Sequence, residues 1–289
     1  MFSNIVNQNL LCIAIPSYNS GNALISVVQK ILSEIKIAKC ESKVSILVSF
    51  NGPDSVNKAI LEKIRTETQI EIIINTHESN IGFDLNYLSL FENGCIYTWP
   101  LGDDDLICSG FLPELVSFIE NNNNVDYIHV GGFLEGSELK KPVILKQDFL
   151  SFVQLTNFRS GGMAATVIKN SVVNSIDLSK FDYFYRHWIH LAVIISGRNK
   201  YVYAVFHKNG FNEIDDEKRW LKYPGQKRIN SDLWLATYIV KLSDSDYLIQ
   251  REIDNIIFRS IYLRIIKDLV RFRLNYNFSL FIKRKFLWR

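Results

Sequence analysis

The chain has 289 residues, of which 47% are hydrophobic and 13% aromatic; this is enough for one large domain, or for one domain with an appendage, and excludes wholesale disorder. The formal net charge of +3 hides an asymmetry, because residues 251–289 carry ten Lys/Arg against three Asp/Glu while the remainder is net acidic. The four cysteines lack CxxC spacing, no basic lead opens onto a long apolar stretch, and no window of about 18 uncharged apolar residues occurs, which argues against a zinc site, a disulfide framework, a signal peptide and a spanning helix.

Leu11-Cys12-Ile13-Ala14-Ile15 is a continuous apolar run stopped by Pro16, the pattern of a strand buried on both faces. The polar turn Pro16–Asn22 leads into a helix through about Ile37. A second strand is expected over Val44–Phe50, followed by turn residues Asn51–Ser55 and a helix over 55–66. Ile70–Ile74 reads as a third strand, and Asn80–Phe91 has helical period, with Asn80 suited to the N-cap. A strand over 95–99, a helix over about 109–120 and a strand over 125–130 complete this half. Strands alternating with helices predict a mostly parallel sheet, in which ligands bind outside the carboxyl ends of the strands. The turns at 16–22, 51–55 and 102–105 all lie at such ends, so they converge on one crevice.

Asp103-Asp104-Asp105 closes the run Trp99-Pro100-Leu101-Gly102. In an extended segment Asp103 and Asp105 share one face, and like charges that close are relieved by a cation. A hard divalent ion with phosphate as co-ligand suits carboxylate oxygens. The competing reading is a solvated acidic turn; convergence with the other two turns favours a site.

The second half is less regular. It suggests a loop and short strand over 132–146, a helix over 148–156, a glycine turn at Arg159–Met163 before the apolar run 164–168, a helix from Phe184 to Gly197 and a strand over Tyr201–Phe206. Lys208–Arg228 reads as a long polar loop, and the pattern from about Ile229 is helical. In the tail, Ile253, Ile256, Ile257, Ile261, Leu263, Ile266 and Val270 alternate with Arg and Lys, a basic amphipathic character that suits an anionic membrane surface. A helix packed on the domain with solvated charges is the alternative.

Three segments together, Ile13-Ala14-Ile15-Pro16-Ser17-Tyr18-Asn19, Asn80-Ile81-Gly82-Phe83-Asp84-Leu85-Asn86 and Leu101-Gly102-Asp103-Asp104-Asp105-Leu106, resemble family 2 glycosyltransferases, nearest the abequosyltransferase-like bacterial branch of O-antigen and capsule enzymes. The resemblance is strongest over residues 10–120 and does not extend to the tail. It implies an α/β GT-A fold, a Rossmann-like sheet flanked by helices, over 1–228 (donor half about 10–130, acceptor half about 131–228), with a basic helical extension over 229–289. It implies a nucleoside-diphosphate-sugar donor contacted by Pro16, Ser17 and Tyr18, by Asn80, Gly82 and Asn86, and by Asp103 and Asp104. Asp105 is then nearest a divalent metal, Mn²⁺ or Mg²⁺, with His207 a further metal or phosphate ligand.

Two departures from the family stand out. Ser49-Phe50-Asn51 occupies the place of an acidic residue that pairs with the base, and Asn51 takes part of that role. No Glu-Asp pair marks a general base, which leaves Asp182, His187 and His190, the two histidines sharing a face if helical. The function implied is an inverting, metal-dependent transfer to a polyprenyl-diphosphate-linked glycan at the inner face of the bacterial cytoplasmic membrane, with no nucleic-acid partner. Lys and Arg of the 217–228 loop are candidates to close over the site. A sugar nucleotidyltransferase is a rival, although a Gly-rich basic loop after the first strand is missing. A non-catalytic, membrane-associated relative is a second rival.

Overall fold

The computed structural model describes residues 9–131, 139–156, 163–176, 189, 193–194 and 200–213. By its internal contacts the chain divides into two units, Met1–Ile214 and Asp215–Arg289, and all described residues belong to the first.

The central strand β1, Leu11–Ser17, is buried except at Pro16. Helix α1, Asn22–Ala38, follows, its Leu24, Val27, Val28, Ile31 and Ile35 recurring every three or four residues to form the buried stripe. β2, Val44–Phe50, is buried throughout, as its unbroken apolar and small-residue pattern requires of an interior strand. Helix α2, Ser55–Thr66, is capped by Asp54, whose Oδ1 accepts from the Asn57 N–H at 3.0 Å. β3, Ile72–Thr76, and helix α3, Phe83–Ser89, come next, then β4, Tyr97–Pro100, and β5, Asp105–Ile107. Helix α4, Phe111–Asn121, and β6, Tyr127–His129, close this half. The remaining elements are β7, Val143–Lys146; α5, Phe149–Thr156; a short 3₁₀ turn at Met163–Ala165; β8, Thr166–Lys169; α6, Asn170–Asn174; β9, Val202–Val205; and β10, Phe211–Glu213.

Among the described residues eight strands form one sheet in the order β3-β2-β1-β4-β8-β6-β9-β7. β3, β2, β1 and β4 are parallel neighbours, β6 and β9 pair in parallel, and β8 and β7 run antiparallel to theirs. Six of the eight strands therefore share one direction, the mostly parallel α/β sheet expected. The alternating residues Leu11, Ile13 and Ile15 of β1 and Val44, Ile46 and Val48 of β2 meet the apolar faces of α1 and α4 in one core. The opposite face of β2 carries Ser45 and Ser49, both fully buried.

Three expectations need correction. The third helix starts at Phe83, not Asn80, because Gly82 holds φ at +86°, outside the helical region. Asn80 is therefore no N-cap; its Oδ1 accepts from the Gly82 N–H at 2.8 Å in a local Asx turn. The Asp triplet is not extended: Asp103 and Asp104 form a turn closed by the Asp105 N–H donating to the Gly102 carbonyl at 3.1 Å. The supposed loop from Lys208 contains β10, which pairs antiparallel with β5 in a separate two-stranded sheet, Glu213 opposite Asp105.

Candidate donor-binding site

A cavity of about 300 Å³ opens at the carboxyl ends of β1 and β2. Ser17, Tyr18, Asn51 and Asn80, all expected at a nucleotide site, line it, joined by Asn19 and Asp54. Tyr18 is 57% exposed, an aromatic ring left in solvent at a concave surface. Phe50, buried to 1%, gives the cavity an apolar wall where the family resemblance leads one to look for an acid. The carboxylate present is Asp54, four residues later. Its sequence signal was only that of a turn, and in the structure it caps α2 while lining the cavity.

Backbone and side-chain hydrogen bonds tie together the segments around the cavity. The Asn51 N–H donates to the Ser17 carbonyl at 2.8 Å, joining the ends of β2 and β1. The Asn51 Oδ1 accepts from the Ile81 N–H at 2.8 Å, pinning the loop that carries Asn80 and Gly82. Asn86 lies deeper, 3% exposed, where its Oδ1 accepts from the Ser49 Oγ at 2.7 Å and its Nδ2 donates to the Ser49 carbonyl at 3.4 Å. It fastens α3 to β2. Pro16, half-buried, sits opposite Ser49 in the sheet register.

The Asp turn follows β4, the neighbour of β1 on the other side from β2. Gly102 is its pivot: its N–H donates to Asp105 Oδ2 at 2.9 Å, and a Cβ built on it would lie 2.5 Å from that oxygen and 2.9 Å from Asp104 Oδ1. The carboxylates of Asp104 and Asp105 thus lean over the same backbone atom. Asp103 instead accepts from the Ser20 hydroxyl, and Ser20 lies 2.8 Å from the hydroxyl of Ser17 in the cavity wall. Ser20 was not singled out in the sequence; nothing local marks a serine whose partner is 83 residues away.

Two convergent carboxylates suit a divalent cation: the oxygens are hard donors, and the cation offsets repulsion between like charges. Among the described residues no three His, Cys, Asp or Glu side chains gather as a metal cage, so a cation here would complete its shell with ligand oxygens. His207, following β9, has its Nε2 3.7 Å from Glu114 Oε2 on α4. Asp182, His187 and His190 lie outside the described residues, as do the 217–228 loop and the tail.

Behind the turn, the carboxylate of Glu34 on α1 is 1% exposed. It accepts from Lys30 Nζ at 2.6 Å and from the Gly110 N–H at 3.1 Å, where α4 begins. Burial works to raise this carboxyl, and the hydrogen bonds from Lys30 and Gly110 outweigh it, holding the group below its usual range.

No family model matches the sequence, and no curated relative does either. Solved structures do match. S. aureus TarS 1–349 superposes with a TM-score of 0.60 at 12% identity over 93% of this chain and 76% of that one. Its complex with UDP gives 0.56 at 11% over 86% and 69%, and this chain covers 42% of a longer TarS chain. The mannosyltransferase PcManGT from Pyrobaculum calidifontis, solved with GDP-Man and Mn²⁺, gives 0.54 at 9% over 93% and 81%. At such identities the likeness speaks for architecture, and the architecture is the GT-A fold.

Proposed function

We propose that this chain is a bacterial glycosyltransferase that moves a sugar from a nucleoside-diphosphate donor to a polyprenyl-diphosphate-linked glycan, as in O-antigen or capsule synthesis. The observation that carries the reading is the adjacency, at the carboxyl ends of parallel strands, of a nucleoside-sized cavity and the turn of converging carboxylates. TarS solved with UDP and with UDP-GlcNAc, and PcManGT solved with GDP-Man and Mn²⁺, share the fold and support it.

In this reading the exposed Tyr18 ring stacks on the base. Asn51 and Asn80 shape the base and ribose side, and Asp103 is held beside the cavity by Ser20. Asp104 and Asp105 would hold Mn²⁺ or Mg²⁺, which supplies charge stabilisation to a departing diphosphate. We assign the cation to these two carboxylates and not to His207, whose ring faces Glu114. Asp182, His187 or His190 takes the acceptor hydroxyl proton if transfer inverts. The basic extension brings the enzyme to the anionic inner surface where a lipid-linked acceptor resides.

The test is a thermal-shift screen of UDP, GDP, CDP and dTDP with and without Mn²⁺, on the wild type and Asp105→Asn. A native-state ligand raises the melting temperature by mass action. One nucleotide should shift the wild type strongly with metal and Asp105→Asn weakly. Absence of a shift with all four would sink the transferase reading.

A further inference from the structure

Two asparagine side chains in the cavity wall are oriented by the backbone. The two ends of an asparagine amide have the same outline, and their hydrogen-bond partners decide which is oxygen and which is nitrogen. A backbone N–H can only donate. The Ile81 N–H donates to the Asn51 oxygen, and the next N–H, that of Gly82, donates to the Asn80 oxygen, each at 2.8 Å. Consecutive amides of one loop thus capture the oxygen ends of both side chains. What each asparagine has left is its NH₂ group.

Both residues line the cavity, and Asn80 is exposed. Asn51 is 6% exposed, and the part that solvent reaches includes its amide nitrogen. That atom has no partner among the described residues, and it is not among their buried, unpaired side-chain atoms. The carboxylate in the lining is already engaged: Asp54 Oδ1 accepts from the Asn57 N–H at 3.0 Å and Oδ2 from Asn57 Nδ2 at 2.8 Å. A carboxylate in place of Asn51 would offer lone pairs to a ligand, whereas the amide, turned by Ile81, offers hydrogens. We propose that Asn51 and Asn80 are specificity-determining residues that read the ligand with their NH₂ groups. The cavity then takes a nucleoside through its hydrogen-bond acceptors: a carbonyl or ring nitrogen of the base, or the ribose 2′-hydroxyl oxygen. The inference rests on the donor-site reading above and gives its recognition a definite polarity.

Asparagine to aspartate is the deciding change, because aspartate keeps an oxygen for the Ile81 or Gly82 N–H and replaces the NH₂ group with a second acceptor. The test is calorimetric titration with UDP, GDP, CDP and dTDP in Mn²⁺ at about pH 8, where an introduced carboxylate is ionised. It compares wild type, Asn51→Asp, Asn80→Asp and Ser79→Asp, with melting temperatures recorded alongside. Ser79 is exposed and does not line the cavity, so its variant measures the effect of added charge alone. For the nucleotide that binds the wild type, each asparagine variant should weaken binding about tenfold or more, the cost of setting an acceptor against an acceptor. Ser79→Asp should stay within about threefold, since solvent and salt screen an exposed charge. Asn80→Asp should keep the ligand-free melting temperature of the wild type, and it decides the matter if Asn51→Asp does not fold. Ribose and 2′-deoxyribose forms of the same nucleotide locate the acceptor: a loss in both places it on the base, a loss confined to the ribose form at the 2′-hydroxyl. Wild-type affinity in either asparagine variant, or an equal loss in Ser79→Asp, would overturn the proposal and leave the donor site standing. Failure of all four nucleotides to bind the wild type would overturn the donor site and this inference together.

Discussion

Gly102 lacks a side chain at the one point of the Asp turn where two carboxylates fill the space a side chain would need. A methyl group there would stand 2.5 Å from Asp105 Oδ2, inside any tolerable contact, so the turn must open or the Asp105 carboxylate must swing out. Gly102→Ala should therefore cost about 1–3 kcal/mol of stability, the range of overpacked sites. It should also reduce Mn²⁺-dependent nucleotide binding by about tenfold or more. Calorimetry and chemical denaturation read the two effects separately; unchanged binding would mean that the convergence of Asp104 and Asp105 has no part in holding a cation. The same scale shows what a sequence hides. Asp103–Asp105 were conspicuous because three adjacent charges after an apolar run are locally unusual, whereas Tyr18 stood out only through the family resemblance. Ser20 and Asp54 look like ordinary turn residues; the contact of Ser20 with Asp103, and the cavity that Asp54 lines, appear only when segments distant in sequence meet.

Glu34 acts on elements: from α1 it reaches the first amide of the turn into α4, and Lys30 beside it donates to Ser109 at 2.9 Å. The fold binds the ionised carboxylate, since its carboxyl lies below the usual range. Its stabilisation is complete above the unfolded value of about 4.3 and fades as pH falls through the lower folded value. Glu34→Gln should thus lose about 1–3 kcal/mol near pH 7, with the gap to wild type closing below about pH 4. Urea unfolding across that pH range measures it, and a gap independent of pH would show that shape, not charge, is what α4 needs. Most elements of the first half were legible because each carries its own signal: β2 an apolar and small-residue run, α2 the turn residues Asn51–Ser55 that lead into it. β5 and β10 were not, because strands of three residues exist only through each other.

Among the described residues β1 is an interior strand of the main sheet, flanked by β2 and β4, with Leu11 through Ile15 fully buried. Ile13 packs in the main core, and Ile13→Ala should cost about 2–5 kcal/mol by denaturant titration. A cost below about 1 kcal/mol would mean the sheet's centre relaxes around the cavity. The parallel half could be read from alternation alone. The order β8-β6-β9-β7 could not, because short strands of mixed direction leave pairing partners undetermined by pattern.

The small ladder between β5 and β10 has a further consequence, for the order in which the site comes into being. Asp105 is made early, and its partner Glu213 emerges from the ribosome more than one hundred residues later. The cavity at the ends of β1 and β2 belongs to the first stretch of chain to appear, whereas β10, the strand that pairs with β5, arrives near the end of this unit. A growing chain would pass through an interval in which the strands lining the cavity are present and β5 still lacks its partner, so the bracing of β5 is among the last steps by which this region is completed.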